Sequence, residues 1–226
     1  MVQNTRCTNK HLENYSVEDR IKWALEVFEL EDIAFTSAFG TYAAAYIHVV
    51  NQVIPNLQVY FLDTRFHFQE TWDFKASLED RLDIQVKVIE PLISIETLKS
   101  TLGEKPYDVS TKNCCNVNKV VPLNSVLKNK DLWITGVQQH QTNTRKNVTV
   151  LEQRDDLLYK LNPILDWSTK DIYNYTIKHD LPLHPLFEKG YPSIGCFPCT
   201  NAVKSGEDER SGRWSGEAKT ECGLHL

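Results

Sequence analysis

The chain has 226 residues, 41% hydrophobic and 24% charged, which is typical of a globular protein and suits one domain of generous size. No segment approaches the ~18 apolar residues of a membrane helix, and the N-terminus lacks a signal peptide's apolar run, so we expect a cytoplasmic protein without a membrane partner. The formal net charge of −5 argues against a general nucleic-acid binder, whose surface would be basic.

Helical and extended patterns alternate through most of the chain. The first helix is predicted to begin at Ser16, with Asp19 completing a start that resembles a capping box. Strands are predicted at 33–36, 57–62, 84–89 and 132–135, and further helices at about 42–53, 68–82, 114–127 and 168–178. Pro122 should kink the helix that begins at the cysteine doublet or end it early, and Ser168 with Asp171 repeats the capping box at the last one.

This alternation predicts an α/β fold, a parallel twisted sheet with helices on both faces. Such sheets bind ligands beyond the carboxyl ends of their strands, where the segments 37–40, 63–64 and 135–136 fall. The first of these joins a strand to the start of a helix, where an anion is favoured. An ordinary turn that contains Gly40 would have the same sequence pattern and is the alternative. Asp63 could accept hydrogen bonds from a ribose or adenine, or be an ordinary strand-end aspartate.

Cysteine spacing is the most informative pattern in the chain. The six cysteines lie at positions 7, 114, 115, 196, 199 and 222. Four of them, called the paired cysteines below, form the doublet Cys114–Cys115 and the C-x-x-C motif Cys196–Cys199. Two separated pairs can bring four thiolates around a metal or cluster, and adjacent cysteines favour an iron–sulfur cluster over tetrahedral zinc. Zinc and free thiols remain alternatives.

The last 27 residues form a tail with glycines but without helical or strand periodicity. We expect this tail to be mobile unless a ligand orders it. Cys222 lies close to the end of the tail, where a structural cysteine is rarely buried. A thiol at this position could enter a pocket, react and move out again. An incidental exposed thiol is the alternative. The tail also carries four basic residues, Lys204, Arg210, Arg213 and Lys219, inside an acidic protein.

Together these residues resemble the assimilatory adenylyl-sulfate reductases, thioredoxin-dependent enzymes of the sulfonucleotide reductase family. The likeness runs from about residue 33 to the end. Its most specific parts are the paired cysteines and the terminal motif ECGLH at 221–225. Support comes from the segments 37–40, 62–64 and 135–136, from Lys119, and from Arg210-x-x-Arg213-Trp214.

The resemblance implies an adenine nucleotide alpha hydrolase-like fold, with a reductase domain at 1–199 and a tail at 200–226 that carries the nucleophile. It implies a [4Fe–4S] cluster on Cys114, Cys115, Cys196 and Cys199. The implied substrate contacts are Ser37, Phe39, Gly40, Asp63, Thr64, Gly136, Lys119, Arg210 and Arg213.

The implied reaction is the reduction of adenosine 5′-phosphosulfate to sulfite and AMP through an S-sulfocysteine on Cys222. Thioredoxin or glutaredoxin would release the sulfite and supply the electrons. The cluster would organise the site and act electrostatically near Lys119 rather than carry electrons. A homo-oligomer is compatible with the sequence.

Several residues depart from the family's pattern. Gln138 and Gln139 replace an arginine pair, Asn118 replaces an arginine before Lys119, and Arg65 stands where a glycine normally follows Asp-Thr. Arg145 or Arg65 could compensate for the lost charges. Arg65 could also bind an additional phosphate, so a reductase of 3′-phosphoadenylyl sulfate with the same mechanism is the alternative.

Two other classes of protein share parts of this pattern. An ATP pyrophosphatase-type ligase has the same sheet, but its phosphate loop is rich in glycine and serine, and residues 37–43 are poor in both. A catalytically silent metal-binding or regulatory protein would explain the altered nucleotide loops but not Cys222.

Overall fold

The computed structural model describes residues 5–154, 158–217 and 219–224. The strands are β1 (Ile33–Thr36), β2 (Val59–Leu62), β3 (Val86–Ile89), β4 (Leu132–Ile134), β5 (Leu151–Gln153) and β6 (Tyr159–Leu161). The helices are α1 (Thr5–Leu12), α2 (Val17–Val27), α3 (Ala43–Val53), α4 (Gln69–Leu82), α5 (Ile95–Leu102), α6 (Pro106–Val109), α7 (Thr111–Cys115), α8 (Val121–Leu127) and α9 (Thr169–Lys178).

The strands form one sheet in the order β3-β2-β1-β4-β6-β5. Every neighbouring pair is parallel except β5 and β6, so the sheet is mixed rather than purely parallel. The four predicted strands are confirmed, β1 with the predicted bounds and the other three with shorter ones. β5 and β6 were not predicted, because strands of three residues carry too little periodicity to be recognised.

Both faces of the sheet are covered, as predicted. Along β1, Phe35 packs into the large core beneath α2, α3, α4 and α9, whereas Ala34 points to the opposite face. There it meets Trp133 of β4 and Leu123 of α8 in a smaller cluster. Alternation along a strand therefore places apolar side chains on both faces, which is what a sheet buried on both sides requires.

The two predicted helix starts with capping residues are confirmed, whereas the helix predicted to begin at the cysteine doublet begins earlier, at Thr111. The Ser16 side chain accepts a hydrogen bond from the Asp19 N–H at 3.1 Å. At α9, Ser168 and Asp171 make both halves of a capping box. These bonds satisfy N–H groups that have no partner inside the helix.

The cysteine doublet lies at the end of α7, and a π-helical turn at Asn116–Val120 joins α7 to α8. Of the two effects predicted for Pro122, an early end of the helix is wrong, since α8 continues to Leu127 as the sequence pattern indicated, and a kink stays a prediction. Pro122 lies in the first turn of α8, where the N–H that proline lacks is not needed for a helical bond. The preceding π turn changes the helical register, so the chain continues past the proline.

Arg20 ties α2 to the start of α9. Its side chain, 2% exposed, donates to Asp166 at 2.7 and 2.8 Å and to the carbonyls of Leu12 and Pro163, each at 2.8 Å. Arg20→Met should lower the free energy of unfolding by about 2–4 kcal/mol, because buried carbonyls lose their donor. Urea denaturation measures this. Lys22→Met, which changes an exposed lysine of the same helix, should shift it by less than about 0.5 kcal/mol; equal effects would contradict the prediction.

None of the helices in the described residues is long and apolar enough to span a membrane.

Candidate active site

A cavity of about 430 Å³ opens at the carboxyl ends of β1, β2 and β4. Its walls come from the loops after these strands, from the start of α3, and from the tail folded across the opening. This is the predicted location, because loops after neighbouring parallel strands converge at one edge of the sheet.

Most of the predicted ligand contacts meet in this cavity. The predicted site residues among those that line it are Ser37, Gly40, Thr64, Lys119, Gly136, Arg210, Arg213 and Cys222. Gly136 makes room for Tyr46, since a Cβ at this glycine would lie 2.9 Å from the tyrosine ring. The sequence therefore brings distant segments, including the tail, to a single site.

Phe39 and Asp63 do not line the cavity. The Phe39 side chain is fully buried and packs edge-to-face on Phe61, with ring centroids 5.3 Å apart. Its backbone N–H donates to Ser37 Oγ at 3.1 Å, which holds the loop in a turn with φ of 48° at Phe39. Asp63 Oδ1 accepts from the Arg65 N–H at 2.7 Å. Both residues shape loops around the cavity instead of facing it.

Arg65 also lies outside the cavity lining. Its backbone is left-handed, with φ of 64°, a conformation that glycine adopts without strain. Its guanidinium donates to the carbonyl of Ile93 in the loop after β3. The structure therefore does not place Arg65 as a ligand for an additional phosphate.

The three amide side chains that stand where the resemblance implies arginines form hydrogen bonds with backbone carbonyls. Gln138 is buried, and its Nε2 donates to the carbonyl of Trp167 at 3.0 Å. Gln139 Nε2 donates to the carbonyl of Lys146 at 2.9 Å. Asn118 Nδ2 donates to the carbonyl of Cys114 at 3.0 Å. These side chains hold loops and helix turns in place.

Three cationic groups surround Trp214 of the tail. Arg213, Lys219 and Arg210 lie 4.4, 5.4 and 5.9 Å from its ring centroid. Burial and, after it, the charge of Arg213 lower the pKa of Arg210 to about 10, so Arg210 still carries its charge at neutral pH. Such a concentration of positive charge in an acidic protein suits an anionic ligand.

Arg213 reaches the cavity past a glycine. Its Nη1 donates to the carbonyl of Ile194 at 3.2 Å, while its buried Nε has no partner. A Cβ at Gly195 would lie 2.2 Å from Nη2, so only glycine leaves room for the guanidinium. The unsatisfied Nε is a donor still available to a ligand.

Lys119 connects the cavity to the cysteines. Burial of its ammonium group opposes the charge, but the nearby Cys196, Cys222 and Cys115 outweigh burial and raise the pKa of Lys119. A lysine held positive beside several sulfur atoms can in turn stabilise thiolates.

The paired cysteines all line one small cavity next to the larger one. Thr64, Lys119 and Cys196 belong to the walls of both. Burial, together with the other cysteines, raises the pKa of Cys114 and of Cys199 to about 11. Across the described ranges, no three His, Cys, Asp or Glu side chains are arranged to hold a metal ion. The four thiols nonetheless converge on one place, as their spacing predicted.

Polar groups lie against three of these sulfurs. Lys219 Nζ donates to Cys115 Sγ at 3.3 Å, and Asn118 Nδ2 to Cys114 Sγ at 3.6 Å. Thr64 Oγ1 lies 3.2 Å from Cys196 Sγ. N–H donors near sulfur favour its charged form.

The tail forms neither helix nor strand in the part that the structure describes, apart from one antiparallel bridge between Thr200 and Arg213. Its mobility stays a prediction, and His225 of the terminal motif lies outside the described residues. Cys222 is half-buried in the cavity wall. The residue before it, Glu221, is 5% exposed and pairs with Arg145. The sequence analysis did not predict this ion pair. The one sequence signal for it was the presence of Glu221 in the terminal motif.

Comparison with known proteins identifies the family. A model described as the phosphoadenosine phosphosulfate reductase domain matches residues 32–202. An adenosine 5′-phosphosulfate reductase of Bacillus cereus (strain Q1) is 37% identical over 222 residues, which cover 94% of each protein.

Two solved structures show the fold. A phosphoadenylyl-sulfate reductase from Candida auris has a TM-score of 0.74 at 21% identity, covering 90% of this chain and 98% of that chain. A variant FMN adenylyltransferase from Candida glabrata has a TM-score of 0.59 at 12% identity, covering 92% and 70%. The predicted adenine nucleotide alpha hydrolase-like fold is confirmed. The family model and the relative together show that the chain belongs to the phosphoadenosine phosphosulfate reductase domain family.

Proposed function

We propose that this protein reduces adenosine 5′-phosphosulfate to sulfite and AMP in sulfate assimilation, with Cys222 as the nucleophile and thioredoxin or glutaredoxin as the reductant. The observation that carries the proposal is a cysteine in the same cavity as three cationic side chains, Lys119, Arg210 and Arg213. The name of the Bacillus cereus relative, adenosine 5′-phosphosulfate reductase, supports the choice of substrate.

In the first step, the Cys222 thiolate attacks the sulfur of the sulfate group. A bond forms between Sγ and that sulfur, and the bond from the sulfur to the bridging phosphate oxygen breaks. AMP leaves with the electron pair, and an S-sulfocysteine remains on the enzyme. Because negative charge accumulates on the departing phosphate, Lys119, Arg210 and Arg213 are suited to stabilise it.

In the second step, a redoxin thiolate attacks Sγ of the S-sulfocysteine. Sulfite leaves with the electron pair of the sulfur–sulfur bond, and a mixed disulfide forms. The second redoxin thiol then attacks the redoxin sulfur of that disulfide and releases Cys222 as a thiolate. Both electrons come from the redoxin, which is oxidised to a disulfide.

The choice of nucleotide distinguishes the proposed function from its alternative, the reduction of 3′-phosphoadenylyl sulfate. Arg65, the suggested ligand for a 3′-phosphate, bonds to a loop carbonyl away from the cavity, which favours the unphosphorylated substrate. Anaerobic sulfite release with thioredoxin tests this with both nucleotides. Faster release from adenosine 5′-phosphosulfate supports the proposal, and a preference for the 3′-phosphorylated form would establish the alternative. No sulfite from either, with AMP and pyrophosphate formed from ATP, would assign the protein to the pyrophosphatase-type enzymes.

The paired cysteines are proposed to hold a [4Fe–4S] cluster. The donor set fits, because four thiols line one small cavity and N–H donors from Asn118 and Lys219 reach two of the sulfurs. When bound, the cluster would hold the two cysteine pairs together and set the electrostatic field at Lys119, while the redoxin supplies the electrons.

Metal analysis tests the cluster. Protein purified without oxygen is expected to contain about four iron and four sulfide per chain, and Cys199→Ser should lose most of both because one ligand is removed. Cys7→Ser, which changes an exposed cysteine of α1, should retain them. Zinc without sulfide in the unaltered protein would contradict the cluster.

A further inference from the structure

We infer that Glu221 and Arg145 form a latch that positions Cys222 in the cavity. Arg145 Nε donates to Glu221 Oε1 at 2.6 Å, and Nη2 donates to Oε2 at 2.9 Å, so the pair is bidentate. Both residues are buried, with 8% and 5% of their surfaces exposed. Thr142 Oγ1 adds a third donor to Oε1 at 2.9 Å. Because Glu221 directly precedes the nucleophile, fixing this carboxylate fixes where Cys222 lies.

Arg210, itself a tail residue, also lies close to the Glu221 carboxylate. Arg210 Nη2 lies 3.8 Å from Glu221 Oε2 and donates to the carbonyl of Thr220 at 3.0 Å. Burial of Glu221 opposes its ionisation, but the hydrogen bonds and charge of Arg145 outweigh this and lower the pKa of the carboxyl group. The Glu221 carboxylate is therefore ionised at neutral pH, and its pairing with Arg145 attaches the tail to the body of the protein.

Two glutamines orient Arg145. Its Nη1 donates to Gln141 Oε1 at 2.6 Å, Gln141 Nε2 donates to Gln138 Oε1 at 2.6 Å, and Gln138 Nε2 donates to the carbonyl of Trp167. All three guanidinium nitrogens of Arg145 thus donate within the protein. An arginine at 138 would place a second cation in this chain of hydrogen bonds and remove an acceptor. The neutral residue at 138, which departs from the family's pattern, thereby acquires a positioning role.

This inference rests on the proposed function, in which Cys222 must lie in the cavity to attack and outside it to meet a redoxin. Opening the tail separates a bidentate pair of charge-assisted hydrogen bonds and leaves Arg145 without its carboxylate, so the pair favours the docked tail. Arg145 is then a positioning residue for the nucleophile and does not serve as a substrate ligand.

Tryptic cleavage of the folded protein at the Lys219–Thr220 bond measures tail docking without requiring activity, because cleavage follows the fraction of open tail. Glu221→Gln and Arg145→Lys should each raise this rate at least about tenfold. Both should also lower kcat for sulfite release, in proportion to the loss of docked tail, and leave KM within about twofold, because the substrate contacts do not change. Arg145→Lys keeps the positive charge but loses the bidentate hydrogen bonds. An effect of this variant is therefore not explained by misfolding that follows removal of the charge.

Glu207→Gln is the matched control, since it removes one exposed tail carboxylate that accepts from the Lys204 N–H within the tail, and it should change neither rate. Unchanged cleavage in both latch variants would overturn the inference. So would a raised KM in Arg145→Lys alone, which would make Arg145 a substrate ligand. Sulfite release that persists in Cys222→Ser would instead refute the proposed function, whatever the cleavage rates.

Discussion

Replacing Cys222 by serine is expected to lower sulfite release by at least about a thousandfold. A serine hydroxyl is scarcely ionised at neutral pH, so the nucleophile that forms the S-sulfocysteine is missing. The other residues of the cavity are unchanged, so nucleotide binding should persist. Sulfite release under anaerobic conditions, together with AMP affinity by calorimetry, separates the loss of chemistry from a loss of binding.

Cys7→Ser provides the control for this substitution. Cys7 lies exposed in α1, and its replacement should leave sulfite release within about twofold of the unaltered protein. If Cys222→Ser retained most of its activity, another thiol would have to be the nucleophile and the proposed mechanism would fail.

Arg213→Met should lower kcat/KM by about a hundredfold to a thousandfold, the usual cost of removing one donor that stabilises developing charge. Arg213 combines a buried Nε without a partner with a guanidinium that Gly195 lets into the cavity wall. The charge on the leaving AMP is the charge this side chain would meet. Steady-state sulfite release at several substrate concentrations gives the value.

Two further variants sharpen this prediction. Arg213→Lys keeps the charge without the planar fork and should recover only part of the loss. Arg81→Met removes a cation that pairs with the exposed Asp180 and does not line the cavity, so it should have little effect. Equal activity in Arg213→Met and the unaltered protein would remove Arg213 from the substrate site.

The central part of the fold could be predicted from sequence because its signals are local. β1, β2, β3 and β4 are apolar runs closed by turn residues, and the caps of α2 and α9 lie three residues from their partners. β5 and β6 lacked such a signal. Their place in the sheet depends on pairing with β4 and with each other, which a run of three residues does not reveal.

The parts of the candidate site that depend on residue type could be predicted from the sequence. The parts that depend on contacts between residues distant in the sequence could not. The paired cysteines and Cys222 follow from spacing and position. The pairing of Glu221 with Arg145 spans 76 residues, and nothing local indicates which arginine a given glutamate will meet. Phe39 was predicted to contact substrate from the family resemblance alone, yet its side chain is apolar and turns into the core.

The most direct test of the account is a single turnover in the absence of any reductant. Protein mixed anaerobically with adenosine 5′-phosphosulfate should release one equivalent of AMP and no sulfite, and peptide mass spectrometry should find one sulfonate group on the peptide that contains Cys222. Addition of thioredoxin should then remove the group as sulfite. AMP release with an unmodified Cys222, or a sulfonate on one of the paired cysteines, would contradict the account.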